Sequence, residues 1–322
     1  MNSFSRFRDG ALLLFCNLVW GGQFVALKVV QREMGPLFAT WLPLLISTFL
    51  IMPLVVREHR RSGGASMPMG DIAGFILLGT FGQAVVLLFS TWGVRLTLAS
   101  NAALVGLALP VTTAVMAYFL LGERMTVVRG ISFVLAIVGV LESSGIHWGE
   151  LNFASPAFLL GNSMCFLSVL GSAYYNTYGK KLLEKYSALQ VVLYSYCVAV
   201  TLLLPVTLYL EPQSFQKVTH FGALVWLAVI FLAVFRNVLA LVVFLYVLKR
   251  LDATVAGVTN YLIPFFGVLT AGIFLHEKLT KFMILGGLLV LASTLFMTLY
   301  EGRERRRGQP PVTAAPGGAS NN

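Results

Sequence analysis

Ten stretches of the chain stay apolar for about twenty residues, and polar and turn-forming residues collect between them. The runs fall at 9–30, 37–56, 71–94, 98–121, 127–145, 156–179, 187–210, 222–248, 252–275 and 281–300. An α-helix needs about 20 residues to cross the hydrocarbon of a bilayer. Inside lipid the backbone must satisfy its own hydrogen bonds, which makes each run a helix rather than an extended segment. The connections are too short to hold an inserted soluble domain. The pattern predicts an all-α polytopic membrane protein with ten transmembrane helices.

Residues 95–141 read a second time at 249–295, in step and 154 positions later. Ala99 maps to Ala253, Ala102 to Ala256, Pro110 to Pro264, and Glu123-Arg124-Met125-Thr126 to Glu277-Lys278-Leu279-Thr280. Shared hydrophobicity does not explain a repeated Pro inside an apolar run or a repeated acidic-basic-x-Thr turn. Equivalent points lie five runs apart, and an odd number of crossings reverses direction. The expectation is two inverted five-helix repeats, one over 1–146 and one over 147–300. The remaining 301–322 is basic, then rich in Pro, Gly and Ala, and reads as a disordered tail.

Composition agrees with a membrane location. The chain is 57% hydrophobic and 11% charged, against about 25% charged in a soluble domain. A formal charge of +10 suggests nucleic acid until its distribution is considered. Of the 23 Lys and Arg, sixteen fall on the side of the N-terminus, six on the other, and Arg236 inside a run. Such a bias places both termini in the cytoplasm, in a multi-pass protein of the cell (inner) membrane. It also sets Glu123-Arg124 inside and Glu277-Lys278 outside. No nucleic-acid partner is expected; the partners are the lipid bilayer and a small molecule, and monomer and homodimer both stay open. Arg6 and Arg8 do not open a signal peptide, because the run after them is too long and lacks a cleavage site. Cys16, Cys165 and Cys197 sit singly in different runs and read as packing residues.

Inverted repeats are a plan of secondary transporters, with a substrate site near the midplane and access that alternates as one bundle rocks against the other. The Trp20-Gly21 pair of the first run, Pro110 and Pro264, and the acidic turn at 122–126 with its echo at 276–280 carry a family resemblance. Over residues 9–300 the chain resembles the ten-helix EamA branch of the drug/metabolite transporter superfamily. The resemblance implies export of amino acids or other small metabolites through a central cavity lined by helices 1, 3, 4, 6, 8 and 9. Two departures stand out: Tyr174-Tyr175-Asn176 replaces the aromatic-Gly pair in the second half, and His276 stands where the first copy has Gly122.

Arg236 is the sharpest candidate for substrate binding. It lies about 20 Å from either end of its run at 1.5 Å per residue, too deep for its side chain to reach water. A centrally placed Arg costs about 2.5–3.5 kcal/mol on insertion scales. It therefore faces a cavity, where its fork can bind a carboxylate, or is tied to helix carbonyls. Arg236-Asn237 maps to Gly82-Gln83, so an amide recurs at Gln83 and Asn237 while a Gly opposes the charge. Trp20 is too deep for the interfacial belt that Trp41, Trp148 and Trp226 fit; it reads as cavity wall or packing, with Gln23 on its face. Gly21 and Gly22 permit close approach or bending. Pro110 and Pro264 free the carbonyls of Gly106 and Asn260 and kink their helices, and Asn260 and Tyr261 put polar groups at that level. The small residues Ala99, Ala102, Ala103 and Gly106 form a close-packing stripe. Asn162, Ser168, Tyr174, Tyr175 and Asn176 do not share one face, so only some reach a cavity; Tyr174 and Asn176 rank low. Glu123 and Glu277 read as ion pairs with their basic neighbours, or as gates on alternate sides, and Thr126 and Thr280 as caps of the next helix.

An enzyme is not expected. His276-Glu277-Lys278-Leu279-Thr280 lacks the second His of a zinc site, no phosphate-binding loop occurs, and no pair of carboxylates lies at mid-depth. No cofactor is expected. Arg does not readily give up its proton, so a single central Arg favours facilitated export or exchange, with proton-coupled antiport as the alternative and a channel-like pore as a third reading.

Overall fold

The computed structural model describes residues 3–61, 67–122, 125–143, 146–147, 152–153, 156–248 and 262–306. Among them the chain is a helical bundle, with one two-residue hairpin pairing Ile146–His147 to Asn152–Phe153. The helices are α1 (Ser3–Val30), α2 (Pro36–Arg61), α3 (Met69–Leu96), α4 (99–121), α5 (Val127–Ser143), α6 (Pro156–Leu183), α7 (Ala188–Leu210), α8 (223–248), α9 (Leu262–Leu275) and α10 (Lys281–Arg306). Eight of them are long and apolar enough to cross a membrane; α5 and the described part of α9 are shorter. The start of the ninth apolar run, with Asn260 and Tyr261, lies outside the described residues, as do Glu123 and Trp148. α10 continues to Arg306, six residues past the expected start of the tail. Glu301, Arg303 and Arg305 are good helix formers that outweigh Gly302, and no Pro falls there to break the ladder.

The helices pair across the two sequence copies. α1 packs on α9 and α8, α6 packs on α4 and α3, α2 faces α7, and α5 lies along α10. Small residues let these backbones approach, as in membrane bundles generally. A Cβ on Gly21 would sit 2.5 Å from Cβ of Phe266 in α9, and one on Gly267 would collide with Ala103 in α4. α1 runs unbroken through Gly21-Gly22, so Gly21 serves close approach here.

Local irregularities recur at the repeat spacing. α3 carries a π-helical turn at Leu78–Ala84 and α8 one at Phe231–Ala240, at corresponding positions. α4 ends on Gly122 at φ 68°, and its counterpart His276 after α9 has φ 54°. Both are left-handed C-terminal caps, a conformation Gly adopts freely and His only with strain. Thr126 Oγ1 accepts from the Arg129 N–H and Thr280 Oγ1 from the Met283 N–H, each at 3.2 Å, so both threonines cap the next helix.

Polar contacts tie the copies together at both ends of the bundle. At one end the Glu277 carboxylate accepts from the N–H groups of Ala99 (3.0 Å) and Ser100 (2.9 Å) and the Ser100 hydroxyl (2.7 Å), at the start of α4. The expected partner Lys278 is not used, because unsatisfied N–H groups at a helix start attract a carboxylate more specifically than an exposed ammonium does. At the same end Glu211 accepts from Leu37 N and Phe38 N at the start of α2, and Glu33 from Gly222 N ahead of α8. At the other end Asp71 accepts from Lys185 (2.9 Å) and Tyr186 (2.8 Å), and Glu58 from the Ser187 hydroxyl (2.8 Å). The Tyr186 phenol is pushed up to about 12, by loss of hydration and then by its bond to the Asp71 carboxylate.

Trp41 departs from its expected place in an interfacial belt. It is buried between α2 and α7, packs on Phe38 and Phe215, and donates to the Val200 carbonyl at 3.2 Å. A neighbouring helix covers the ring that a lone helix would present to the headgroups.

Candidate functional site

A cavity of about 230 Å³ lies in the middle of the bundle, lined from α1, α3, α4, α6, α7, α8 and α9. Its wall is mainly apolar and aromatic, with Trp20, Phe24, Tyr175, Tyr196 and Phe244 supplying rings. Arg236 is the charged residue on this wall among the described residues.

Two locked amides hold the guanidinium. Arg236 Nε donates to Gln23 Oε1 at 2.5 Å, and Arg236 Nη1 to Asn237 Oδ1 at 2.9 Å. Each amide is oriented from behind. Gln23 Nε2 donates to the Trp20 carbonyl at 2.7 Å, and Asn237 Nδ2 to Ser47 Oγ at 3.1 Å, so both present oxygen to the charge. Ser47 on α2 in turn donates to the Pro43 and Ala233 carbonyls at 2.6 and 3.0 Å.

The π-helical turn of α8 explains why these donors are needed. It disrupts the i→i−4 ladder and leaves carbonyls to be met by other groups. Ser47 meets the Ala233 carbonyl, and the buried Tyr196 hydroxyl meets the Asn237 carbonyl at 2.8 Å. In a lipid surrounding such partners are obligatory. The same turn therefore positions Arg236 and fastens α8 to α2 and α7.

The other sequence candidates divide clearly. Trp20, Gln23, Gln83, Pro110, Arg236 and Asn237 line the cavity, and Trp20 meets Phe244 edge to face with centroids 5.1 Å apart. Gly82 also lies on the wall, but Tyr175 of α6 fills the room it leaves: a Cβ there would lie 3.1 Å from the Tyr175 side chain. The Gly106 carbonyl freed by Pro110 accepts instead from Leu109 N, through a 3₁₀ turn at Gly106–Ala108. Pro264 is buried in α9, Gly22 faces the Phe231 ring, and Glu277 sits at the bundle end described above. Tyr174 turns away to stack on Tyr178, whereas Asn176, ranked low from the sequence, stands on the cavity wall.

Comparison with known proteins bears on the chain as a whole. The family model described as the EamA-like transporter family matches twice, over residues 10–144 and 159–299. The chain belongs to this family. The transporter is 26% identical over 305 residues to a protein of Salmonella typhimurium named a probable amino-acid metabolite efflux pump, covering 93% of this chain and 97% of that one. It is 25% identical over 293 residues to a protein of Archaeoglobus fulgidus named an uncharacterized transporter, covering 89% and 96%. A protein of Rickettsia conorii named an S-adenosylmethionine uptake transporter is 25% identical over 265 residues, covering 81% and 82%. One solved crystal structure superposes with TM-score 0.62 at 18% identity, over 92% of this chain and 97% of that one, which establishes a shared fold.

Sequence reading missed Tyr196, Ser47 and Phe244 in the transporter's site. Ser47 and Tyr196 stand in apolar runs beside other polar groups, Thr48 and Ser195, so the sequence did not single them out. Nothing in their own helices says that they meet a π-helical turn.

Proposed function

We propose that the chain is an alternating-access carrier that exports small amphipathic metabolites bearing a carboxylate, amino acids or related compounds, across the inner membrane. The observation that carries this reading is Arg236, held by Gln23 and Asn237 on the wall of an otherwise mostly apolar central cavity. The fork can take a carboxylate while Trp20, Phe24 and Phe244 contact an apolar body. Two inverted repeats of five helices support alternating access. In favour of them are the matched π-helical turns, the paired left-handed caps at Gly122 and His276, and the crossed packing of α1 on α9 and α6 on α4. The charge bias supports cytoplasmic termini, which puts Glu277 at the outer end. There its contact with the start of α4 joins the two halves and is suited to close an outer gate, and Glu123 is its sequence counterpart for the inner one. The efflux name of the Salmonella relative agrees with export.

Counterflow in proteoliposomes tests the reading. Vesicles preloaded with a carboxylated metabolite should take up labelled substrate saturably, and Arg236→Ala should slow uptake at least about 100-fold, as expected for loss of a two-point charged contact. Normal uptake by a correctly inserted Arg236→Ala protein refutes the anchoring role. Ionic conductance without saturation refutes the carrier.

A further inference from the structure

Among the described residues the charge on the cavity wall has no counter-charge. Gln23 and Asn237 are neutral, and Arg236 Nη2 has no protein partner among the described residues. No Asp or Glu lines the cavity among the described residues. In the sequence all 13 acidic residues fall at the ends of apolar runs or between them. The described wall therefore carries a net positive charge amid mainly apolar surface, which is costly until an anion offsets it.

We infer that, within the carboxylates proposed above, the site selects amphipathic monoanions and discriminates against zwitterions and cations, so that the related carboxylates without an ammonium group are better substrates than free amino acids of the same shape. This rests on the proposed role of Arg236 as the carboxylate anchor. The ammonium of an α-amino acid stands two bonds from its carboxylate carbon, so a carboxylate seated on Arg236 brings that ammonium to roughly 5 Å from the guanidinium, where like charges in a protein interior repel strongly. No carboxylate waits to offset the repulsion. Asn176, Ser168 and Ser172 offer only neutral acceptors. The rings of Trp20 and Phe244 could attract a cation through their faces, but the fixed charge beside them opposes it. The volume, room for about eight waters at 30 Å³ each, suits a compact head with a short apolar body.

The test is a matched series on the purified full chain: 3-phenylpropanoate (anion), L-phenylalanine (zwitterion) and 2-phenylethylammonium (cation), with affinities measured by calorimetry and each member tried against labelled 3-phenylpropanoate in counterflow. The anion should bind about tenfold or more tighter than phenylalanine, and the cation weakest. Arg236→Gln should bring the anion and the zwitterion to within about threefold of each other. Asn176→Asp, nearly isosteric, adds the missing counter-charge and should raise phenylalanine affinity while lowering that of the anion. Phenylalanine binding as tightly as the anion, yet weakened by Arg236→Gln, overturns this inference and leaves the carboxylate anchor standing. Tightest binding of the cation overturns it in favour of the aromatic faces. The expected order without counterflow of the labelled anion keeps the selectivity and removes the carrier. No binding by any of the three overturns both.

Discussion

Removing the Glu277 side chain should open one end of the bundle. Its carboxylate accepts two backbone N–H bonds and one hydroxyl bond at the start of α4, at 2.7–3.0 Å. A hydrogen bond to a charged group contributes about 1.5–3 kcal/mol, and an anion at a helix start adds about 0.3–1 kcal/mol. The group is half-buried, so about 1 kcal/mol per bond is the sounder figure. Glu277→Ala then costs the closed arrangement about 3 kcal/mol, a shift of about 100-fold. Glu277→Gln keeps one amide oxygen as acceptor and loses the charge, for about 1.5 kcal/mol, or about tenfold.

Cys165 provides a native reporter, because it lines the cavity and is only 5% exposed while the end is closed. The labelling background is Cys16→Ser with Cys197→Ser, and a membrane-impermeant maleimide is added from the proposed outer side. Cys165 should then label fastest in the Glu277→Ala protein, more slowly in Glu277→Gln and slowest with Glu277 intact, with steps near the factors above. Thermal unfolding in detergent is measured in parallel. A lowered Tm with an unchanged labelling rate would show Glu277 to be a helix cap and no part of a gate, and would refute the reasoning.

Ser47→Ala leaves the Ala233 carbonyl short of a donor and the Asn237 amide free to turn; about 1–3 kcal/mol of stability and weaker carboxylate binding should be lost together, read by Tm and titration. Tyr196→Phe removes one buried bond to the Asn237 carbonyl and should cost about 1 kcal/mol in unfolding free energy. Gly21→Leu forces α1 away from Phe266 and should lower stability by at least about 1–3 kcal/mol, measured in detergent. His276→Gly relieves the left-handed strain and should raise stability by about 0.5–1 kcal/mol. Lys185→Ala breaks an ion pair whose lysine is 63% exposed, and should cost less than about 1 kcal/mol, read from Tm.

Helix positions were legible because a run of apolar residues and its flanking breakers are local. The seventh run, read as 187–210, is the helix Ala188–Leu210, and Thr126 and Thr280 cap as their repeated turn suggests. Helix faces were much less legible. Lipid tails are as apolar as a packed core, so a buried face carries no excess hydrophobicity to mark it. Trp41 therefore read as a belt residue, and Asn176 ranked low although it stands on the cavity wall. Gly82 shows the same limit in another form: the repeat placed it opposite Arg236, but only packing shows that Tyr175 occupies its space.

Arg236 itself was legible for the opposite reason, since a charge in the middle of an apolar run is conspicuous without knowledge of any neighbour. Its geometry was not, and the two π-helical turns explain the difference. Adjacent residues of a regular α-helix do not face each other, yet Arg236 reaches the Asn237 side chain within the irregular turn of α8. The matching turn of α3 holds Gly82-Gln83, with an amide and no charge. The sequence repeat thus accounts for a π-helical segment with an amide in each half, and a change at one position accounts for the charge. The opposing position does not hold the ligand space, because Tyr175 closes it. On the proposed reading, recognition is accordingly lopsided: the second half supplies the charge, α1 and α2 of the first half supply Gln23 and Ser47 to orient it, and the head group is expected nearer α8 than α3.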